Sequence, residues 1–261
     1  MVLVTLGFVI AVAAAVRSTW SPCGLSMLSQ ITPVAEAGRH QKFGRTAAWF
    51  IVGSVIGGLT LGGLIALGAA AAAAAGLSES AALTLIAVAA IGAAAVDAHV
   101  FGFGPPFLRR QVNENWLSNY RSWVYGGGFG WQIGAGITTY VMTAAVPLLI
   151  VVGVLSERPW AGVAMGAVFG LVRGLAVLSG ARLRTTTALY AFHRRFAAWA
   201  DPVRHAVIAV QLAVATVATW IVAPVTVAAC LTVVVAVAYA WTRTRVPRAA
   251  MSPTPVGSLT R

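Results

Sequence analysis

An all-α integral membrane protein with about seven transmembrane helices is predicted by three observations. The chain of 261 residues is 59% hydrophobic and only 9% charged, with a mean hydropathy of +0.85. Apolar runs recur along it, most near the ~20 residues a helix needs to cross a hydrocarbon core about 30 Å thick. Fifteen of the eighteen Arg and Lys residues fall in four short stretches, and those are every second connection between the runs. A soluble domain, about a quarter charged, could not cover its surface with so few ionic groups.

The runs are 2–33, 46–75, 82–100, 128–155, 160–180, 206–222 and 225–241. The basic stretches are Arg39, Lys42 and Arg45; Arg109, Arg110 and Arg121; Arg182, Arg184, Arg194, Arg195 and Arg204; and the tail Arg243, Arg245, Arg248 and Arg261. Lys and Arg resist translocation, so the N-terminus is expected outside and the C-terminus in the cytoplasm, with the protein multi-pass in the inner (plasma) membrane. Read as one helix, the last two runs would reach about 54 Å, which is too long. Pro224 divides them, because proline cannot donate a backbone hydrogen bond. Met1 to Val16 lacks a basic n-region and is read as part of a span, not a cleaved signal. Residues 1–241 thus form one polytopic domain, and 242–261 a basic, disordered cytoplasmic tail.

The net charge of +12 is spread over loops that face one side of the bilayer. Its expected partners are the lipid bilayer and anionic lipid at the cytoplasmic face, with no nucleic acid. Two of these loops carry aromatic residues at helical spacing. Leu108, Val112, Trp116, Tyr120 and Trp123 in 107–124, and Tyr190, Phe192, Phe196 and Trp199 in 189–199, suit helices lying in the interface.

Glycines four apart give helices flat faces for close packing. Gly53/Gly57 and Gly58/Gly62 mark span 2, Gly126/Gly130/Gly134 span 4, and Gly166/Gly170/Gly174 span 5. Span 1 holds Arg17 and then Ser18-Thr19-Trp20-Ser21-Pro22-Cys23-Gly24, where Pro22 is expected to kink or open the helix. Ser18, Pro22, Ser26, Ser29 and Pro33 share a face with Gln30 beside it, and such a face must meet protein or water. Span 4 begins Gly126-Gly127-Gly128-Phe129-Gly130-Trp131-Gln132-Ile133-Gly134-Ala135-Gly136, which unwinds easily. Gln132, Gly136, Thr139 and Thr143 then share a face, with Pro147 beyond. Spans 1–3 and 4–6 read as two repeats, 1–100 and 126–222, inverted because each has an odd number of spans. Broken helices at matching positions of inverted repeats mark a transporter's central site.

Ser21-Pro22-Cys23, the Phe129-Gly130-Trp131 entry to span 4 and the three-plus-three plan resemble the transmembrane thiol-reductant proteins of the DsbD/CcdA type. More broadly, the chain is similar to the LysE-type exporter superfamily. The resemblance implies a Pro-flanked cysteine, Cys23, working with a second cysteine in the fourth helix and with a thioredoxin-like partner. This chain has Gln132-Ile133-Gly134 at that second place, and its other cysteine, Cys230, lies in the last run. Cys23 is therefore either a redox nucleophile or a small buried apolar group.

Asp97 and Arg173 are expected to form an intramembrane ion pair, since an isolated Arg at a helix centre costs about 2.5–3.5 kcal/mol. His40, His99, His193 and His205 show no ligand spacing, so no metal is expected. With no nucleotide-binding loop or haem signature, neither a cofactor nor an enzymatic activity is expected. The leading expectation is a transporter or exporter for a small solute, anionic if Arg17 meets it. Arg17, Ser18, Ser21, Pro22, Cys23, Ser26, Gln132, Gly134, Gly136, Thr139, Thr143 and Arg173 would line its path. A thiol-redox conduit through Cys23 and a non-transporting scaffold subunit with a membrane partner are the alternatives.

Overall fold

A computed structural model describes residues 1–100, 119–138 and 140–223. Among these there is no strand. The helices are α1 (Val2–Ser18), α2 (Pro22–Gln30), α3 (Pro33–Gly38), α4 (Phe43–Ala75), α5 (Glu79–Asp97), α6 (Ser122–Ala135), α7 (Ala145–Leu155), α8 (Pro159–Leu175) and α9 (Thr186–Val222), with a 3-10 turn at Ala176–Gly180. Four helical stretches are long and apolar enough to cross a bilayer, and α1 with α2, bent by 66°, makes a fifth if counted as one span. The run 225–241, the tail, most of 107–124, Thr139 and Cys230 lie outside the described residues.

Local chemistry sets several boundaries. Ser21 is extended and its side chain accepts from Gly24 N at 3.1 Å, while Pro22 takes the first helical position. Pro22 therefore starts a fresh helix instead of kinking an existing one, as its missing N–H permits there. Gly24 is required: a Cβ at this position would lie 2.3 Å from the Thr19 carbonyl oxygen. Thr32, Ser78 and Thr185 cap α3, α5 and α9 in the same way, each accepting from the amide three residues on. The stretch 189–199 is not a separate interfacial helix. It continues through Pro202 into the apolar 206–222 as one helix of 37 residues.

The glycine faces do the packing expected of them. α6 runs parallel to α4, with Gly126 over Thr46, Gly130 over Phe50 and Gly134 over Ser54. α8 runs antiparallel to α4 on another side, matching Gly166 to Gly58 and Gly162 to the Ile65–Ala66 turn. Added Cβ atoms at Gly53, Gly57, Gly58, Gly130, Gly134 and Gly166 would fall 2.0–2.3 Å from carbonyl oxygens of the facing helix. Backbones approach this closely only where no side chain intervenes. Ser54, in the middle of α4, donates to Gly170 O at 2.7 Å, a bond worth about 0.6 kcal/mol inside a membrane. α1, α5, α7 and α9 complete the bundle around a core that includes Ile10, Ile86, Leu149, Met165 and Phe169.

Candidate functional site

Two helices of the bundle are broken, α1/α2 at residues 19–21 and α6/α7 between the end of α6 at Ala135 and the start of α7 at Ala145, and the breaks meet. An α-helix ends in unsatisfied carbonyls carrying partial negative charge and begins in unsatisfied amides carrying partial positive charge. Each break thus exposes one end of each sign inside the bundle. Arg173, only 3% exposed, lies between the two negative ends. Its Nη1 donates to Ile133 O of α6, and its Nη2 donates to Ser18 O of α1 at 3.2 Å. The guanidinium also stacks over Phe169, 5.6 Å from the ring centroid. One fork of donors caps two half-helices.

The positive ends have their own partners. Asp97, 4% exposed, accepts from Ala144 N at 2.8 Å and from Thr143 Oγ1 at 2.6 Å, at the start of α7. Thr143 Oγ1 in turn accepts from Ala145 N. Gln211 of α9 donates to the same carboxylate at 2.9 Å. The start of α2 is closed by Ser21 itself. Each of the four interior ends thus has a capping partner within this chain.

The expected Asp97–Arg173 ion pair is therefore not formed. Each charge is held by helix ends of opposite sign, which supply both hydrogen bonds and dipole, so neither needs the other. Arg17, 9% exposed, lies within electrostatic reach of Asp97, Arg204 and Asp201.

The other residues expected along a solute path are distributed as follows. Ser18, Ser21, Cys23, Gly134, Gly136 and Thr143 are buried, and Pro22, Ser26 and Gln132 half-buried. Gly134 is taken up by packing on Ser54, and the Gln132 carbonyl accepts from Thr138 Oγ1 at 2.7 Å. Cys23 packs in an apolar cluster with Met27, Ile31, Phe50 and Phe129. The cavity where the breaks meet, lined by Arg173, Thr19, Gly24 and Ile133 among others, measures about 10 Å³. That is about enough for one water molecule.

A second buried carboxylate escaped the sequence reading. Glu36 of α3, fully buried, accepts from Thr46 Oγ1 at 2.5 Å, from Tyr125 OH at 2.8 and 3.0 Å, and pairs with Arg39 at 3.0 Å. It ties α3 to the first turns of α4 and α6. Arg39 also reaches Gln30. Its signal in the sequence was a lone carboxylate between a Thr-Pro helix start and a basic loop. Gln211, a lone amide in an apolar run, was equally visible. No group of three or more His, Cys, Asp or Glu suited to a metal occurs among the described residues.

An all-helical, membrane-type protein with two broken helices, each internally capped, is the class these features define. Its sequence is similar to the methylamine utilization protein MauF of Methylophilus methylotrophus, 32% identical over 186 residues that cover 68% of this chain and 62% of that protein. The proteins of the same name from Paracoccus versutus, 33% identical over 168 residues (64% and 61%), and Paracoccus denitrificans, 32% over 175 residues (64% and 60%), are also similar. The chain thus spans about three fifths of the length of these curated relatives. No family model and no solved structure matches. The likeness to DsbD/CcdA and LysE-type proteins, which rested on short motifs, is overturned by relatives that share most of the chain and carry a different name.

Proposed function

We propose that this chain is a membrane-embedded component of methylamine utilization whose two broken helices form a fixed internal joint. The observation that carries the reading is the joint itself, in a chain about one-third identical to MauF proteins over most of its length. A solute path through broken helices relies on free half-helix ends to hold the passing charge. Here Arg173, Asp97 and Ser21 occupy those ends. Passage would require Arg173 to leave both carbonyls, so the residues expected to line a path act as a joint.

The full architecture follows the charge pattern. Seven spans, with 225–241 as the last, place the N-terminus outside and the C-terminus inside in the cell's inner membrane, and residues 242–261 form a cytoplasmic tail. Repeats 1–100 and 126–222 are inverted copies, a reading supported by the antiparallel glycine contact of α4 with α8 and by a break in the first helix of each. The protein acts without a cofactor and is not an enzyme. Its partners are anionic lipid and another membrane protein.

The test is complementation. A Paracoccus versutus strain lacking its MauF should regain growth on methylamine when it expresses this chain, and no regained growth in a strain with confirmed membrane expression overturns the assignment. Proteoliposomes of the purified chain should show no uptake of methylammonium or small anions above empty vesicles. Saturable uptake would overturn the joint.

A further inference from the structure

A lateral groove runs between α1 and α9. One chamber, of about 500 Å³, lies among Trp20, Phe192, Phe196, Trp199 and Arg195. A second, of about 530 Å³, is walled by apolar side chains, with Val9 and Val12 on one side and Val203 and Val207 on the other. Both chambers include Val16, so they form one track. From Arg195 to Val210 the helix rises about 22 Å, against about 15 Å for one leaflet of hydrocarbon.

The two ends of this track differ in chemistry. At the aromatic end Trp20 stacks on Phe196, with centroids 4.5 Å apart and planes 11° from parallel, and donates Nε1 to Phe196 O at 2.7 Å. These contacts fix the α1/α2 break directly against α9 at that end. Arg195 is the charged residue among the described ones lining either chamber. Nearby, Arg17 lies within electrostatic reach of Asp97, Arg204 and Asp201. The one carboxylate bonded there, Asp201, pairs with Arg204 at 3.2 Å and is largely exposed. A cationic, aromatic end joined to an apolar channel matches a phosphate joined to an acyl chain.

We propose that this groove binds one anionic phospholipid, its phosphate on Arg195 and one acyl chain along Val16 to Val210. The proposal rests on the membrane reading of the chain but not on its part in methylamine utilization. The rival occupant, the chain's own stretch 225–241, contains no acidic residue to answer Arg195.

The experiment is native mass spectrometry of the full-length protein equilibrated in detergent with equal phosphatidylglycerol and phosphatidylcholine. Wild type should retain one phospholipid, with phosphatidylglycerol favoured about fivefold, the effect of one Arg near an anionic headgroup. Arg195→Gln should bring that preference near parity while still retaining lipid, and Val12→Trp, at an exposed position of the apolar chamber, should expel the lipid by filling the track. Three results would overturn the proposal. These are equal retention of the two lipids by wild type, an unchanged preference in Arg195→Gln, and a lipid-free wild type, in which case a cross-link from Val12→Cys to a cysteine placed in 225–241 would identify the chain's own segment as the occupant. The wild-type competition decides even if a variant fails to fold, and none of these readouts depends on growth on methylamine.

Discussion

Replacing Arg173 with methionine distinguishes a helix-end cap from an ion pair. The substitution removes two charge-assisted hydrogen bonds, to Ser18 O and Ile133 O, each worth about 1.5–3 kcal/mol. It also lifts the roughly 2.5–3.5 kcal/mol needed to hold an arginine in the hydrocarbon. The midpoints of these ranges differ by about 1.5 kcal/mol, a net destabilisation. Asp97 keeps all three of its donors in this variant, because none comes from Arg173. Asp97→Asn should therefore add its own cost independently, with a coupling below about 0.5 kcal/mol in the double-mutant cycle. Reversible unfolding in bicelles titrated with dodecyl sulfate, followed by tryptophan fluorescence, measures all four species. A coupling above about 1 kcal/mol, or recovery of Arg173→Met by Asp97→Asn, would refute the capping argument.

Three further predictions concern the packing. Gly58→Ala should abolish stable expression, since its Cβ would meet Gly166 O at 2.2 Å and Gly170 Cα at 2.8 Å; Gly63→Ala, which meets nothing within 4 Å, should be neutral or stabilising by up to about 1 kcal/mol in the same titration. Tyr125→Phe should cost about 1–3 kcal/mol by taking a donor from buried Glu36, and combining it with Thr46→Val should be non-additive, because both hydroxyls serve one carboxylate. Cys23→Ser should leave complementation on methylamine intact, since Cys23 sits in an apolar cluster; loss of growth with normal expression would mean that the thiol does chemistry.

The small-residue faces were legible in the sequence because spacing alone fixes a helix face. Gly126, Gly130 and Gly134 share one face whatever lies opposite, and their partner proved to be the Thr46–Ser54 turns of α4. The first break was legible, since Ser21-Pro22 is a helix-start signature, but the second was misplaced. Gly126 to Ala135, expected to unwind, is helical because α4 packs along its glycine face, and the chain leaves the helix only at Gly136, whose φ is 69°. The pairing of charges was not. Sequence shows an Arg and an Asp in apolar runs and suggests that they neutralise each other. It does not show that two backbone breaks supply a separate partial charge for each. Glu36 was hidden for a related reason: its donors, Thr46 and Tyr125, stand 10 and 89 positions away, on helices that only the fold brings together.

α4 has a consequence for how the protein is made. Both of its glycine-bearing faces are completed by helices synthesised later, α6 and then α8. At about 5–20 residues per second, the ~100 residues between Ala75 and Leu175 take on the order of 5–20 s to emerge. Throughout that interval the nascent α4 presents a ridgeless surface that acyl chains fill poorly. It is the segment that an insertase would have reason to retain until its companions arrive.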